Sequence, residues 1–147
     1  MQPYKKLNIW KESYQIVLDI YNITEGFPKN EENNIIAQMR RAAMSMPVNI
    51  AEGASSMFDR NFFSHLSIAY ASGKELETFV MLSKDLEYIN DKSFRAIYEK
   101  IDRLNSQTYN FLKKLELRLD ARKKARLNMD MPSDIGLNRF TKYTKSR

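Results

Sequence analysis

Residues able to do acid/base or nucleophilic chemistry are few in this sequence and poorly spaced. The only histidine is His65, and the residue three positions before it is Phe62, so the paired Glu-x-x-His motifs of a di-iron bundle are missing. No Gly-x-Ser-x-Gly elbow and no glycine-rich phosphate loop occurs. Glu75 and Glu77 are two positions apart on a predicted helix and therefore point to different faces. We predict a protein that is not an enzyme and that holds no metal or other cofactor.

Two polar residues, Asn49 and Glu52, interrupt an otherwise apolar stretch of the second predicted helix. If they are buried they need hydrogen-bond partners, and a facing helix that carries Ser72 and Glu75 can supply them. We interpret them as members of a polar network between helices. A closed pocket that gathered Glu52, Glu75 and His65 would instead favour an enzyme.

Positive charge is concentrated in the last quarter of the chain. Residues 1–109 hold 13 Lys and Arg against 14 Asp and Glu, whereas residues 110–147 hold 11 against 4. A clustered charge attracts a polyanion more strongly than a scattered one. We predict that this cluster contacts RNA or DNA phosphates, with Arg40 and Arg41 as additional contacts. The predicted contact residues of the cluster are Lys113, Lys114, Arg118, Arg122, Lys123, Lys124 and Arg126.

Two other interpretations of the cluster stay open. The cations can simply solvate a projecting helix end, where positive charge also complements the negative pole of the helix dipole. Alternatively, the end of the chain folds onto a protein partner, and the molecule is an interaction scaffold with no nucleic-acid role.

The composition favours a single all-α domain. The chain has 147 residues, of which 43% are apolar, enough for one domain with a buried core. Only 4 Gly and 4 Pro are present, too few for the many tight turns of a β-sandwich. There is no Cys, and we see neither a signal peptide nor an apolar run that could cross a membrane. We therefore expect a cytoplasmic protein.

Four segments with helical periodicity begin near residues 8, 30, 59 and 91. If the fourth stays helical to about Leu127, it spans about 50 Å, against less than about 30 Å for the first. Its basic end must then project beyond the other helices. We assign residues 1–127 to a four-helix bundle and residues 128–147 to a basic C-terminal tail that we predict to be mobile.

Three local features refine this picture. The first helix is apolar over most of its circumference, so it is either buried on two sides or packed against another subunit. Pro47 lies inside the second helix and predicts a kink or restart near Ser45-Met46-Pro47. Gly73 lies inside the third helix, where it predicts that a neighbouring backbone or bulky side chain fills the space that it leaves.

The segment from Arg40 to Gly53, which reads RRAAMSMPVNIAEG, resembles a bacterial four-helix-bundle family encoded in intervening sequences of 23S ribosomal RNA genes. Further agreement comes from Leu7-x-Ile9-Trp10, Glu75-Leu76-Glu77-Thr78 and Leu86-x-Tyr88. Together these motifs cover about residues 4–119. In the third helix the family usually has Arg-Gly-Ser, where this chain has Tyr70-Ala71-Ser72.

The resemblance implies an up-and-down antiparallel bundle that assembles into a ring-like homopentamer, with no established catalysis. A similar bundle protein acts as an accessory factor beside the reverse transcriptase of diversity-generating retroelements, through a basic surface that contacts nucleic acid and the enzyme. The resemblance therefore implies RNA or DNA and a reverse transcriptase or other protein as partners. Structural roles are implied for the motif residues Ser45, Pro47, Asn49, Glu52, Gly53 and Glu75.

Overall fold

The computed structural model describes residues 3–129, in which all of the regular structure is helical. The four main helices are α1 (Asn8–Thr24), α2 (Ala37–Ala54), α3 (Asp59–Asp85) and α4 (Asp91–Met129). A short 3-10 turn, Tyr4–Lys6, precedes α1. The all-α prediction with four helices is confirmed. Residues 130–147, which make up nearly all of the predicted tail, lie outside the described residues.

Each helix runs antiparallel to its neighbours, as an up-and-down bundle requires. Between α1 and α2, the Tyr21 hydroxyl lies 3.5 Å from Met44 Sδ, and Arg40 Nε donates to Thr24 Oγ1. Higher numbers on one helix therefore meet lower numbers on the other. The same inverse order relates α2 to α3, through the pairs Arg41–Glu75 and Ser45–Ser72. It relates α3 to α4 through Glu77–Asn105 and Asp59–Arg122. It relates α4 to α1 through Asp19–Lys100 and Glu12–Gln107.

The apolar seams predicted from periodicity form the core. Every predicted seam position of the second and third segments is buried. These positions are Ile36, Met39, Ala43, Met46 and Ile50 in the second segment, and Phe62, Leu66, Ala69, Gly73, Leu76 and Val80 in the third. On α4 the seam is buried at Ile97, Ile101, Leu104, Thr108 and Leu115, whereas Phe94, Phe111 and Leu119 are half-buried. Because each fully buried Leu or Ile contributes about 1.5–3 kcal/mol of transfer free energy, these seams supply the main stabilisation of the bundle.

The second helical segment is interrupted at Asn34 and not at Pro47, so the restart predicted near Ser45-Met46-Pro47 is wrong, while a kink there stays a prediction. Helix α2 is continuous from Ala37 to Ala54 and contains Pro47. Upstream, a 3-10 turn (Lys29–Glu31) and a π-helical turn (Glu32–Ile36) lead into it, and Asn34 has non-helical φ and ψ of −124° and −108°. Pro47 is itself buried, as are Ala43, Met46 and Ile50 of the same helix, and burial of this face stabilises α2 despite the hydrogen bond that proline cannot form.

Helix α1 is not buried on two sides within the chain. Tyr14 and Leu18 are each 51% exposed, and Tyr21 is 37% exposed. These residues are spaced by four and three positions and therefore share one face. Of the two alternatives for this helix, burial within a single chain is ruled out by these exposures.

Candidate nucleic-acid interface

The last part of α4 projects from the bundle. Leu115 is the last buried residue of the helix, and residues 116–129, which we call the basic overhang, are exposed except for the half-buried Leu119. At 1.5 Å per residue these 14 positions extend for about 20 Å. The helix ends at Met129, two residues later than predicted. All seven predicted contact residues of the cluster are exposed, with Lys113 and Lys114 lying just before the overhang.

Two of the seven cations pair with carboxylates. Lys113 Nζ lies 3.0 Å from Glu116 Oε2, and this hydrogen bond raises the pKa of Lys113 above its ordinary value of 10.5. Arg122 Nη1 lies 3.1 Å from Asp59 Oδ2 at the start of α3. The other five, which are Lys114, Arg118, Lys123, Lys124 and Arg126, form no ion pair with any carboxylate among residues 3–129.

The overhang carries cations around its whole circumference, with one ordered row. Arg118, Arg122 and Arg126 are spaced four residues apart and therefore share a face, which we call the arginine row. Because Arg122 reaches Asp59, this row faces the first turn of α3. Lys123 and Lys124 point in other directions around the helix axis. The overhang is therefore accessible to an anion from several sides.

Arg40 and Arg41 do not join this interface. The Arg40 guanidinium lies 4.4 Å from the centre of the Tyr21 ring, and its Nε donates to Thr24 Oγ1 at 2.9 Å. Arg41 donates to Glu75 Oε1 at 3.2 Å and to Gln38 Oε1 at 2.7 Å. Glu75 lies 16 residues along α3 from Asp59, or about 24 Å. Both arginines therefore tie α2 to its neighbouring helices, far from the overhang.

A polar network joins α2 to α3, but Asn49 reaches Ser45 and His65 in it, not the predicted Ser72 and Glu75. Ser72 Oγ donates to Ser45 Oγ at 2.8 Å. Asn49 Nδ2 donates to the Ser45 carbonyl oxygen at 2.8 Å and lies 3.2 Å from Ser45 Oγ. Asn49 Oδ1 lies 3.1 Å from His65 Nδ1. The same His65 nitrogen lies 3.3 Å from Glu52 Oε2, so the network runs continuously across both helices.

The two neighbouring glutamates of α3 occupy different environments. Glu75 is 40% exposed and pairs with Arg41, whereas the Glu77 side chain is 16% exposed. Glu77 Oε2 accepts hydrogen bonds from Lys74 Nζ at 2.9 Å and from Asn105 Nδ2 at 3.0 Å. Partial burial opposes ionisation of Glu77, but these hydrogen bonds outweigh it and lower its pKa below the ordinary value of 4.5. Both glutamates therefore make contacts between helices, Glu75 with α2 at the surface and Glu77 with α4 in a less exposed position.

The ionisable groups that an active site would need are dispersed. His65 and Glu52 meet at the α2–α3 contact, while Glu75 lies with Arg41 instead. Within residues 3–129, no cluster of three His, Asp or Glu side chains has the arrangement of a metal site. Over the same residues, no helix is apolar along enough of its length to span a bilayer.

Both the antiparallel four-helix fold and the RRAAMSMPVNIAEG segment of α2 can be compared with known proteins. The model of the 23S rRNA-intervening sequence protein family matches residues 5–110. This chain belongs to that family. A crystal structure from Bacteroides thetaiotaomicron, described as a protein with unknown function from the S23 ribosomal protein family, has the same fold, with a TM-score of 0.66 at 22% identity. The alignment covers 71% of this chain and 95% of that chain. No curated protein matches the chain.

The intervening-sequence family match and the basic overhang occupy different parts of the chain. The match ends at residue 110, whereas the overhang begins at residue 116. Lys113, Lys114 and the five cations of the overhang therefore all lie beyond the matched region. The family match therefore covers most of the bundle and does not extend to the basic overhang.

Gly53, a motif residue of this intervening-sequence family protein, allows α2 and α3 to pack closely. The motif residue Pro47 is buried. Gly53 lies at the end of α2, where an added Cβ would come within 2.8 Å of Phe62 Cδ2 and 3.0 Å of His65 Cβ. A larger residue at position 53 would therefore push α3 away.

Sequence reasoning missed an exposed apolar pair beside the overhang. Met57 is 78% exposed and Phe58 is 65% exposed in the connection between α2 and α3. Phe58 directly precedes Asp59, the residue that pairs with Arg122. The available signal was the placement of two large apolar residues in a break between predicted helices, where polar residues are the norm.

Proposed function

We propose that this intervening-sequence family protein is a non-enzymatic, oligomeric accessory factor that binds RNA or DNA in the cytoplasm through its basic overhang. The observation that carries the proposal is a set of five cations that form no ion pair within residues 3–129. They lie on or next to a helix end that projects about 20 Å into solvent. Phosphate contacts of this kind supply most of the affinity of non-specific nucleic-acid binding. An accessory role beside a reverse transcriptase stays a prediction from the resemblance.

Charge placement supports the nucleic-acid assignment over simple solvation of the helix end. A helix end that needs only solubility gains little from holding an arginine row at four-residue spacing. Arginine, with its planar guanidinium, is well suited to phosphate recognition. The three guanidinium groups lie one helical turn apart, about 6 Å. A flexible polyanion can meet several of them at once.

An exposed apolar face supports the oligomeric part of the proposal. Tyr14, Leu18 and Tyr21 on α1 adjoin Met44 and Val48 on α2, and the last two are 42% and 53% exposed. The Tyr21 hydroxyl lies 3.5 Å from Met44 Sδ, which makes the face continuous across both helices. A contiguous apolar face of this kind is typical of a protein contact. We assign it to contacts between copies of this chain in a ring-like homopentamer, where several overhangs would bind one polymer with avidity.

The non-enzymatic part of the proposal is supported by the partners of the ionisable groups. His65 reaches Glu52 and Asn49, Glu75 is held by Arg41, and Glu77 is held by Lys74 and Asn105. Each of these three carboxylates, Glu52, Glu75 and Glu77, therefore has its own structural partner. A general acid and base would need to converge on a shared substrate position.

Binding can be tested by fluorescence anisotropy with labelled RNA and DNA oligonucleotides over a range of salt concentrations. If about six duplex phosphates are neutralised, the logarithm of affinity should fall with the logarithm of salt concentration at a slope near −5. Replacing Lys123, Lys124 and Arg126 by Gln should flatten this slope by about 2 to 3 and weaken binding at every sequence.

A matched control removes three exposed cations from the other end of the bundle. Lys29, Lys92 and Arg95 are exposed and form no ion pair among residues 3–129. Their replacement by Gln changes the net charge equally and should leave the slope unchanged. Equal weakening by both triple variants would mean that net charge alone drives binding. A slope near zero for the unaltered protein would contradict nucleic-acid binding through the overhang and would favour the alternative of a protein-interaction scaffold.

A further inference from the structure

Phe58 combines high exposure with a fixed backbone. Its side chain is 65% exposed, yet its N–H donates to Ser56 Oγ at 3.2 Å, and its carbonyl oxygen accepts from the N–H groups of Asn61 and Phe62 at 3.1 Å each. The turn that carries it has only four residues between α2 and α3. The backbone that carries this exposed aromatic ring is therefore already ordered in the folded protein, so a ligand that binds the ring does not have to order the turn.

The turn that carries the ring lies beside the arginine row, through the residue that follows Phe58. Phe58 is adjacent in sequence to Asp59, whose carboxylate lies 3.1 Å from Arg122. Arg118 and Arg126 flank Arg122 at one helical turn, about 6 Å, on either side. Arg60, also exposed, follows Asp59 on α3. The apolar surface of Met57 and Phe58 and a row of guanidinium groups therefore share one end of the molecule.

A lipid surface is a poor match for this end of the molecule. A helix that lies on a membrane needs its apolar residues on one side. In the overhang, Leu119 and Leu127 point about 200° and 280° around the axis from Leu117, so the leucines are scattered among the cations. A flexible chain of phosphates, by contrast, needs cations and a flat apolar ring on which a base can stack.

We propose that the ligand is nucleic acid with unpaired bases, in which one base stacks on Phe58 while the neighbouring phosphates contact the arginine row. This inference rests on the proposed function and narrows it to single-stranded RNA or DNA, or to a loop or end of a folded RNA. In a duplex the faces of the bases are already stacked on each other, so an exposed ring has no base face to bind.

The test compares a labelled 15-nucleotide single strand with the same strand annealed to its complement, using the full chain. Stacking of one base is lost when Phe58 is replaced by Ala or Leu, so affinity for the single strand should fall about 5- to 100-fold. Phe58→Tyr should retain binding because it keeps an aromatic face. Duplex affinity should stay within about twofold in all three variants. The salt slope should not change, because Phe58 contacts no phosphate.

Two controls separate stacking from other effects. Leu86→Ala removes an exposed apolar side chain, 45% exposed, at the opposite end of α3, and it should leave both affinities unchanged. Phe58→Trp adds an indole to a chain whose other tryptophan is Trp10, and its fluorescence should be quenched by the single strand. Circular dichroism establishes that each variant is folded, which is expected because the Phe58 ring lies outside the core.

The outcomes separate this inference from the proposed function. Unchanged single-strand affinity in Phe58→Ala, or equal affinity of the unaltered protein for duplex and single strand, overturns the inference while the basic overhang still accounts for binding. No binding to either probe overturns both. If Phe58→Leu binds as well as the unaltered protein while Phe58→Ala does not, the ring contributes apolar surface only, and base stacking is overturned. Binding to anionic phospholipid vesicles without binding to the single strand assigns this end to a membrane instead.

Discussion

The side chain of Asn105 on α4 occupies the space beside Gly73 on α3. Asn105 Oδ1 lies where a Cβ on Gly73 would be, and Met46 Sδ lies 3.4 Å from the same point. Asn105 is only 3% exposed, and its Nδ2 donates to Glu77 Oε2 at 3.0 Å. The missing side chain at position 73 therefore allows a buried amide to reach a carboxylate one turn further along α3.

Gly73→Ala should destabilise the protein by about 1–3 kcal/mol, although alanine is the better helix former by about 1 kcal/mol. The added methyl group must displace Asn105 and break its hydrogen bond to Glu77, and overpacking in a filled core costs more than the helix propensity gains. Urea unfolding followed by circular dichroism measures the change.

Two further variants test the cause of that loss. At Gly26, where the nearest atom to an added Cβ is the Ile23 carbonyl oxygen at 3.7 Å, Gly26→Ala should change stability by less than about 0.5 kcal/mol. In an Asn105→Ala background the space is empty, so Gly73→Ala should become neutral or stabilising. An unchanged penalty in that background would show that Asn105 is not the obstacle.

Ser45 and Ser72 should behave as a coupled pair. Ser72 is 8% exposed and donates to Ser45 Oγ. Ser45→Ala should therefore cost about 1–2 kcal/mol, because it leaves a buried hydroxyl and part of the Asn49 amide unpaired. Ser45→Ala together with Ser72→Ala should cost less than the sum of the single changes. A double-mutant cycle by urea unfolding measures the coupling, and strict additivity would contradict it.

Glu77 should make stability depend on acid pH. Its pKa in the folded protein lies below its ordinary value of 4.5, despite partial burial, because Lys74 and Asn105 donate to the charged form. The stabilisation is therefore complete above about pH 4.5 and is lost as the pH falls through the lower, folded-state pKa. The difference in unfolding free energy between the unaltered protein and Glu77→Gln should shrink between pH 6 and pH 3. A constant difference would show that ionisation of Glu77 is not the cause.

Asp59→Asn should strengthen nucleic-acid binding. The Asp59 carboxylate pairs with Arg122, whose side chain is 69% exposed, and so competes with phosphate for that guanidinium. Neutralising it should raise affinity about two- to fivefold at low salt, the range expected for one exposed ion pair. Anisotropy titration measures the gain. Glu116→Gln, which frees Lys113 in the same way, is the matched comparison, and a loss of affinity in both would contradict the assignment.

The apolar face of α1 and α2 should determine the oligomeric state. Leu18→Glu places a charge in its centre, where Leu18 is 51% exposed in the single chain, so subunits should separate while helix content is kept. Light scattering should give about five chain masses for the unaltered protein and one for the variant. Leu86→Glu, at an exposed position outside this face, should retain the larger mass. A single-chain mass for the unaltered protein would contradict the ring.

The sequence predicted the helices well because helical periodicity is a local property. All seam positions of α2 and α3 are buried as expected, and the space beside Gly73 is filled by a neighbouring side chain. The position of the helix break was not predictable in this way. Pro47 suggests a break by its own chemistry, but burial of its helix face keeps α2 continuous, while the chain bends at Asn34.

The candidate site was only partly accessible to sequence reasoning. Charge counting finds the basic overhang, since its cations lie close together along one helix. It also groups Arg40 and Arg41 with them, although these lie about 24 Å away and pair with α1 and α3. It misses Phe58, because an apolar residue in a turn is only a weak signal and the sequence does not indicate whether its side chain faces the core or the solvent.

By itself, the sequence determined the all-α class, the four helices, their buried faces and the concentration of positive charge near the end of the chain. The helices and their buried faces depend on residues three and four positions apart, and the charge depends on composition, so these properties can be obtained from the linear sequence. Only the tertiary structure decided which helices face each other, that Asn105 fills the space at Gly73, and that Asp59, the residue after Phe58, pairs with Arg122. The last two relationships join residues 32 and 63 positions apart, and they arise when antiparallel packing brings distant turns to the same level of the bundle.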